Sequence, residues 1–237
     1  MNELRIEPAI FERFPGLTLG VVVARGIDNT GQPEALATAL RRAEADVVAT
    51  IDPGKLAEHP RIAPWREAYR AFGAKPKDYP SSIENLLRRV AKGHVLPAIN
   101  PLVDLYNGVS LRHLLPIGGE DLDQVSGAVV LRFAGDAEPA ALLLGDSEAK
   151  PPKPGEVIYA DGVGAICRRF NWREADRTKL TAATRNAVLV IEALPPVSRD
   201  ELTNALAELA SGVREHTGGT VTTAVLENTN PRCDLAG

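Results

Sequence analysis

The residues that could do chemistry gather in one stretch, Asp161–Ala193, reading DGVGAICRRFNWREADRTKLTAATRNAVLVIEA. A short apolar run, Val163 to Cys167, opens into Arg168, Arg169, Arg173, Arg177 and Lys179. A second apolar run, Val188 to Ile191, ends on the carboxylate of Glu192. Cationic side chains on a connection between two strands suit an anionic ligand. The strands fix the backbone, and each guanidinium donates several hydrogen bonds. The same charge also fits an ordinary solvated surface. Cys167 reads either as a thiol activated by neighbouring positive charge or as a small buried hydrophobe at a strand end.

Elsewhere the inventory is thin. Asn100 precedes Pro101 and fits a helix N-cap, whose free N–H groups could also face a ligand. His113 stands alone beside leucines. Glu120, Asp121 and Asp123 fit a turn and helix cap better than a metal site, because no third ligand has a convincing spacing. Neither zinc-ligand spacing nor a nucleotide loop, nucleophile elbow or metalloprotease motif occurs, so no metal or cofactor is expected. The set could bind an anionic substrate, or assist an easy hydrolysis in which placing one water is enough. It is poor for a reaction that needs strong acid–base catalysis.

The elements that must position these residues follow from periodicity. Leu17–Ile27 is a continuous apolar, β-branched run and predicts a buried strand. Ala35, Leu36, Ala39, Leu40 and Ala43 predict an amphipathic helix entered at Pro33 and stopped by Pro53-Gly54. Trp65, Ala68, Tyr69 and Phe72 mark another. Ser81-x-x-Glu84 and Ser198-x-x-Glu201 are capping boxes that open helices carrying Ile83, Leu86, Leu87 and Val90, and Leu202, Ala205, Leu206, Leu209 and Val213. The Lys and Arg residues between Arg61 and Lys92 read as solvated helix faces.

Ser110–Val125 reads as a loop around Pro116, Gly118 and Gly119. Gly127–Phe133, Ala140–Leu144 and Glu156–Ala160 read as short strands, with Asp161–Ala193 continuing the same sheet. Thr220–Leu226 is a last strand. Residues 1–227 are expected to form one domain and 228–237 a flexible tail.

The totals are those of an ordinary globular chain. Its 237 residues, 44% hydrophobic and 24% charged, suffice for a real core. A net charge of −4 excludes a global basic field, so any nucleic-acid contact must come from a local patch. Two cysteines exclude a disulfide framework and favour a reducing compartment. No membrane-spanning run and no leader pattern are visible, and a cytoplasmic location is expected.

Several segments together carry a family resemblance. They are Asn100-Pro101-Leu102-Val103 with Leu105, Asp121-Leu122-Asp123-Gln124-Val125, and Asn186-Ala187-Val188-Leu189-Val190-Ile191-Glu192-Ala193. From about Phe72 to Ala193 the chain resembles the tRNA-binding and editing domain of the bacterial phenylalanyl-tRNA synthetase beta subunit, the B-three/four domain. Cys167–Arg173 with Asp176–Lys179 is most similar to that domain's freestanding relatives.

The resemblance implies an α+β fold, a single domain with a mixed β-sheet packed by helices. It also implies an activity, hydrolysis by water of the ester joining a wrong amino acid to tRNA. Glu192 matches the family's pocket glutamate, which helps read the amino acid, and Asn100 an asparagine at the pocket rim. His113 lies near the pocket histidine if two residues are inserted around Tyr106–Ser110. Arg168, Arg169 and Arg173 could pair with 3′-terminal phosphates and Trp172 could stack on a base, with Asn171, Arg177 and Lys179 in the same tRNA-binding segment.

The departure is the turn Arg168–Glu174, bulky and charged where the family has a small glycine-rich one, so amino-acid specificity should differ. A structural alternative puts Trp172 in the core and Arg169 in an ion pair. The expected partner is the aminoacylated 3′ end of tRNA, with no DNA and no membrane. A non-catalytic RNA-binding module and a small-molecule pocket remain as alternatives.

Overall fold

The computed structural model describes residues 2–236; Met1 and Gly237, the end residues of the expected domain and tail, lie outside the described residues. Strand β2 (Thr18–Arg25) shows why the chain layers as it does. Successive strand side chains point to opposite faces. Val21 and Val23 therefore face one way, Val22 and Ala24 the other, and all four are buried. Both faces must be covered, which explains the unbroken apolar run.

β2 lies between β8 (Asn186–Ala193) and β9 (Thr220–Leu226), and β8 also pairs with β3 (Ile117–Asp121). This four-stranded sheet is antiparallel throughout. One face is covered by α5 (Pro101–His113) and α6 (Arg199–Thr217), whose Leu105, Val109, Leu202 and Leu206 pack on Val22, Leu189 and Ile191. The other face meets a second sheet. That sheet runs β10 (Arg232–Asp234), β1 (Glu3–Ile6), β4 (Val129–Phe133), β5 (Val157–Ala160), β6 (Ala165–Arg168) and β7 (Arg173–Glu174). It is mixed, because β1 and β4 are parallel while its other pairs are antiparallel. Val21, Val23 and Val188 from one sheet pack with Leu4, Leu131, Tyr159 and Ile166 from the other. Helices α1 (Pro8–Arg13), α3 (Ala63–Ala71) and α4 (Ser82–Val90) close the sides of this core, and α2 (Glu34–Thr50) packs on α5.

The caps form where the sequence places them. Ser198 accepts from the Glu201 N–H at 3.2 Å while Glu201 accepts the Ser198 N–H at 2.8 Å. Ser81 accepts from the Glu84 N–H at 3.4 Å, but the Glu84 carboxylate goes to Arg66 and Arg88, so that box is half made.

Four expectations need correction. The loop expected around Gly118-Gly119 contains β3: a Cβ on Gly119 would meet Leu189 at 2.3 Å, so the glycine is there for close strand packing rather than for a turn. Ala140–Leu144 is not a strand; only single bridges, Ala141 to Lys150 and Leu143 to Ala175, form there. The stretch Asp161–Ala193 does not continue one sheet, because β6 joins the mixed sheet and β8 the other. The expected flexible tail contains β10, whose Arg232–Asp234 pair with β1.

Candidate functional site

The alternation that buries Val188 also sets the chemistry. Val188, Val190 and Glu192 share one face of β8, so Glu192 enters the layer between the sheets. A cavity of about 550 Å³ lies there, walled by β3 and β8 on one side and by β5, β6 and the turn after β6 on the other. Residues of α4 and α5 complete it.

Glu192 is 3% exposed. Its Oε1 accepts the Tyr159 hydroxyl at 2.5 Å, and its Oε2 accepts the Asn171 amide. The Asn171 oxygen in turn accepts the Tyr69 hydroxyl at 3.1 Å. Burial pushes the Glu192 carboxyl up to about 7, against the lowering effect of its two donors. Burial and the Glu192 charge hold the Tyr159 phenol well above its ordinary value, so it remains a donor.

A second pair of carboxyls, Glu120 and Glu174, lines the other end. Glu174 Oε1 has one long contact, from the Gly119 N–H at 3.4 Å, and burial lifts the group to about 7. Glu120 is 8% exposed, and its Oε2 has no hydrogen-bond partner. Burial, then the Glu174 charge, raise its carboxyl well above the ordinary range. Cys167 sits opposite both Glu174 and Tyr159 in the strand register. Burial and the three glutamates push its thiol up, so it is a neutral wall group and not an activated nucleophile.

The cationic connection is mostly turned inward on itself. Arg168 forms a bidentate pair with Glu156, 2.8 and 2.9 Å, and also reaches the Lys150 carbonyl. Arg169 is buried, with its guanidinium 3.8 Å from the Tyr79 ring centroid, 4.5 Å from that of Trp172 and 3.5 Å from Glu156. Arg177 pairs with Asp161 at 2.9 Å and Lys179 with Asp176 at 2.6 Å. Of the expected tRNA-binding residues, Asn171, Trp172 and Arg173 line the cavity, whereas Arg168, Arg169, Arg177 and Lys179 do not. Arg173 also pairs with Asp146 at 2.7 Å.

Asn100 and His113 lie away from the cavity wall. Asn100 is a buried cap, accepting from the Val103 N–H at 3.1 Å and donating to the Leu180 carbonyl at 3.2 Å. His113, at the far end of α5, meets Glu208 of α6 at 2.6 Å.

The turn itself is strained. Arg169 and Phe170 take φ of 51° and 64°, a left-handed conformation costing about 1–3 kcal/mol per non-glycine residue. Packing holds it: the Phe170 ring centroid lies 5.4 Å from Phe14 and 5.2 Å from Trp65.

Sequence reading missed Glu174, Tyr159, Tyr69 and Arg89 as site residues. Tyr159 alternates with Val157 in β5, which signals a shared face. A two-residue strand gives no such signal for Glu174. Arg89, on α4, reads in the sequence as part of a solvated helix face. It is exposed at the cavity rim and has no ion-pair partner among the described residues, while its neighbour Arg88 is held by Glu84. Among those residues no group of three or more His, Cys, Asp and Glu is placed to hold a metal, and no helix is long and apolar enough to cross a membrane.

The layers and the cavity between them define an α+β domain built around an inter-sheet site. The family model of the B3/4 domain matches residues 64–218, and the chain belongs to that family. No curated protein matches the chain. Among solved structures it is similar to an N-terminal fragment of the phenylalanyl-tRNA synthetase beta-subunit from Pyrococcus horikoshii, at 10% identity and a TM-score of 0.47. That match covers 94% of this chain and 54% of the other, so this chain spans about half the length of the fragment.

Proposed function

We propose that this chain is an aminoacyl-tRNA deacylase that removes a misattached amino acid from the 3′ end of tRNA by water-driven ester hydrolysis. The observation that carries this reading is the Glu192 carboxylate inside the inter-sheet cavity, held by Tyr159 and Asn171 and lifted to about 7. A carboxyl near 7 is about half ionised at neutral pH, the poise expected of a base that takes a proton from an attacking water. An aminoacyl ester is already activated, so one positioned water is sufficient and no covalent nucleophile is required. Trp172 on the wall and Arg89 on the rim are the groups available to a terminal base and phosphate. Membership of the B3/4 family supports the tRNA-linked reading.

The test is hydrolysis of a panel of correctly and incorrectly charged tRNAs by wild type and Glu192→Gln. One mischarged tRNA should be cleaved by the wild type, with a rate rising as pH increases through about 7, since the base works ionised. Glu192→Gln should lower that rate by roughly 100-fold or more. A complete panel cleaved no faster than in buffer would remove the enzyme reading.

A second reading has its own support. With all five of the connection's cations paired within the protein and a net charge of −4, the same cavity could serve a small molecule without RNA. Salt-dependent tRNA affinity separates the two, because phosphate contacts weaken steeply with salt.

A further inference from the structure

The two carboxylate ends of the cavity are not equivalent. Glu192 has two donors from the protein. Glu120 Oε2 has none, and Glu174 has one long backbone contact. The neighbouring cations are paired elsewhere, Arg173 with Asp146, Arg177 with Asp161 and Lys179 with Asp176, so that the Arg177 charge and the Thr178 hydroxyl offset the burial of Glu120 only in part. A buried acceptor without a donor is costly, and a second carboxyl beside it makes a hydrogen-bonding cation the favoured complement. A metal ion is the poorer candidate, since among the described residues no third His, Cys, Asp or Glu joins these two as a ligand set. An ammonium needs only acceptors for its three N–H groups, and the Tyr106 hydroxyl lines the same cavity as a further one.

The register sets the spacing. Glu120 stands opposite Val188 on the same face of the sheet, and Glu192 follows four residues further along β8. At about 3.3 Å per residue the two backbone attachment points lie roughly 13 Å apart. Between them Val188, Val190, Ile166 and Cys167 form an apolar wall, and Glu174 Oε1 reaches over Gly118, the residue opposite Val190. The rim residues Asn85 and Arg89 belong to α4, and the first turn of α4 bonds to Asn171, the residue that holds Glu192. The Glu192 end is thus tied to the start of α4 through Asn171.

Resting on the deacylase reading, we propose that the cavity selects an aminoacyl group with an unbranched methylene side chain ending in an ammonium, the lysine and ornithine class. The ester sits at Glu192, the methylenes cross the apolar waist, and Glu120 and Glu174 receive the side-chain ammonium. Bound cation favours the ionised carboxylates that burial and mutual repulsion otherwise keep protonated.

The experiment uses the full chain and two probes that differ only by the terminal ammonium, lysinamide and norleucinamide, titrated calorimetrically at pH 7 in two buffers of different ionisation enthalpy. Lysinamide should bind at least about tenfold more tightly than norleucinamide and release protons on binding. Glu120→Gln and Glu174→Gln, checked for folding by circular dichroism, should abolish the difference. Equal affinity for the two amides, no binding of either, or unchanged discrimination in both variants would overturn the proposal. The deacylase reading is judged separately on charged tRNAs. Cleavage confined to an uncharged aminoacyl group and indifferent to Glu120→Gln keeps the enzyme and removes the ammonium site. Lysinamide selectivity without cleavage of any tRNA keeps the site and removes the enzyme.

Discussion

The arginine-rich turn and the cavity beside it handle charge in opposite ways. In the turn, cations meet carboxylates: Arg168 and Arg169 share Glu156 in a buried ion-pair cluster. In the cavity, carboxylates meet one another or neutral donors. Glu120 faces Glu174, and Glu192 is held only by a phenol and an amide. The first arrangement satisfies itself and has little left to offer a ligand. The second is incomplete by itself and therefore able to respond to one. A list of charged residues does not separate the two cases, because what counts is whether a charge already has its partner.

The comparison can be broken hardest at Glu156. Glu156→Ala leaves two buried guanidiniums without their carboxylate and is expected to destabilise the fold by about 3–5 kcal/mol, read from the midpoint of urea unfolding. A loss under about 1 kcal/mol would mean the turn is not held by its ion pairs.

Glu174→Gln should act in the opposite direction. The folded-state pKa of Glu174, about 7, lies above its ordinary 4.5, so the stability linked to its proton is present below pH 4.5 and lost as pH rises through 7. A glutamine stays neutral throughout. The variant should therefore exceed wild type by on the order of 2–3 kcal/mol at pH 8, with the gain vanishing toward pH 4. Thermal unfolding across that range measures it, and a gain of the same size at every pH would contradict the charge argument.

The smallest stability effect is expected at Arg89. Arg89→Ala should change stability by no more than about 0.5 kcal/mol, as for other exposed residues. It should weaken tRNA binding severalfold at low salt, measured by filter binding, and less at high salt. Unchanged binding at both salt concentrations would take the rim out of the RNA reading.

Much of this architecture is visible in the residue order wherever the cause is local. The run through Val21–Val23 announces a strand covered on both faces. Ser198-x-x-Glu201 and Asn100-Pro101 mark their helix starts because caps act within three residues. β3 is hidden because Gly118-Gly119 resembles a turn, and only its contact with Leu189 explains the glycine. Glu192 could be singled out through the family resemblance, but its partners could not. Tyr159 is 33 residues away in the chain and Asn171 is 21, and they meet it only because the two sheets face each other. The arginines were legible as charge and not as pairs, since Glu156 lies 12 residues before Arg168 and Asp146 lies 27 before Arg173.

The left-handed pair Arg169–Phe170 bears on how portable this site is. Its backbone shape does not reside in the turn's own sequence, as it would with two glycines. It is imposed by Phe14, Trp65 and Tyr79, which belong to three other parts of the chain. The segment Arg168–Glu174 grafted alone onto a related scaffold would relax to a more ordinary conformation and aim Asn171 elsewhere. An engineer wishing to transplant this pocket would have to move its aromatic cage as well, so the heritable unit is a distributed set of residues and not a loop.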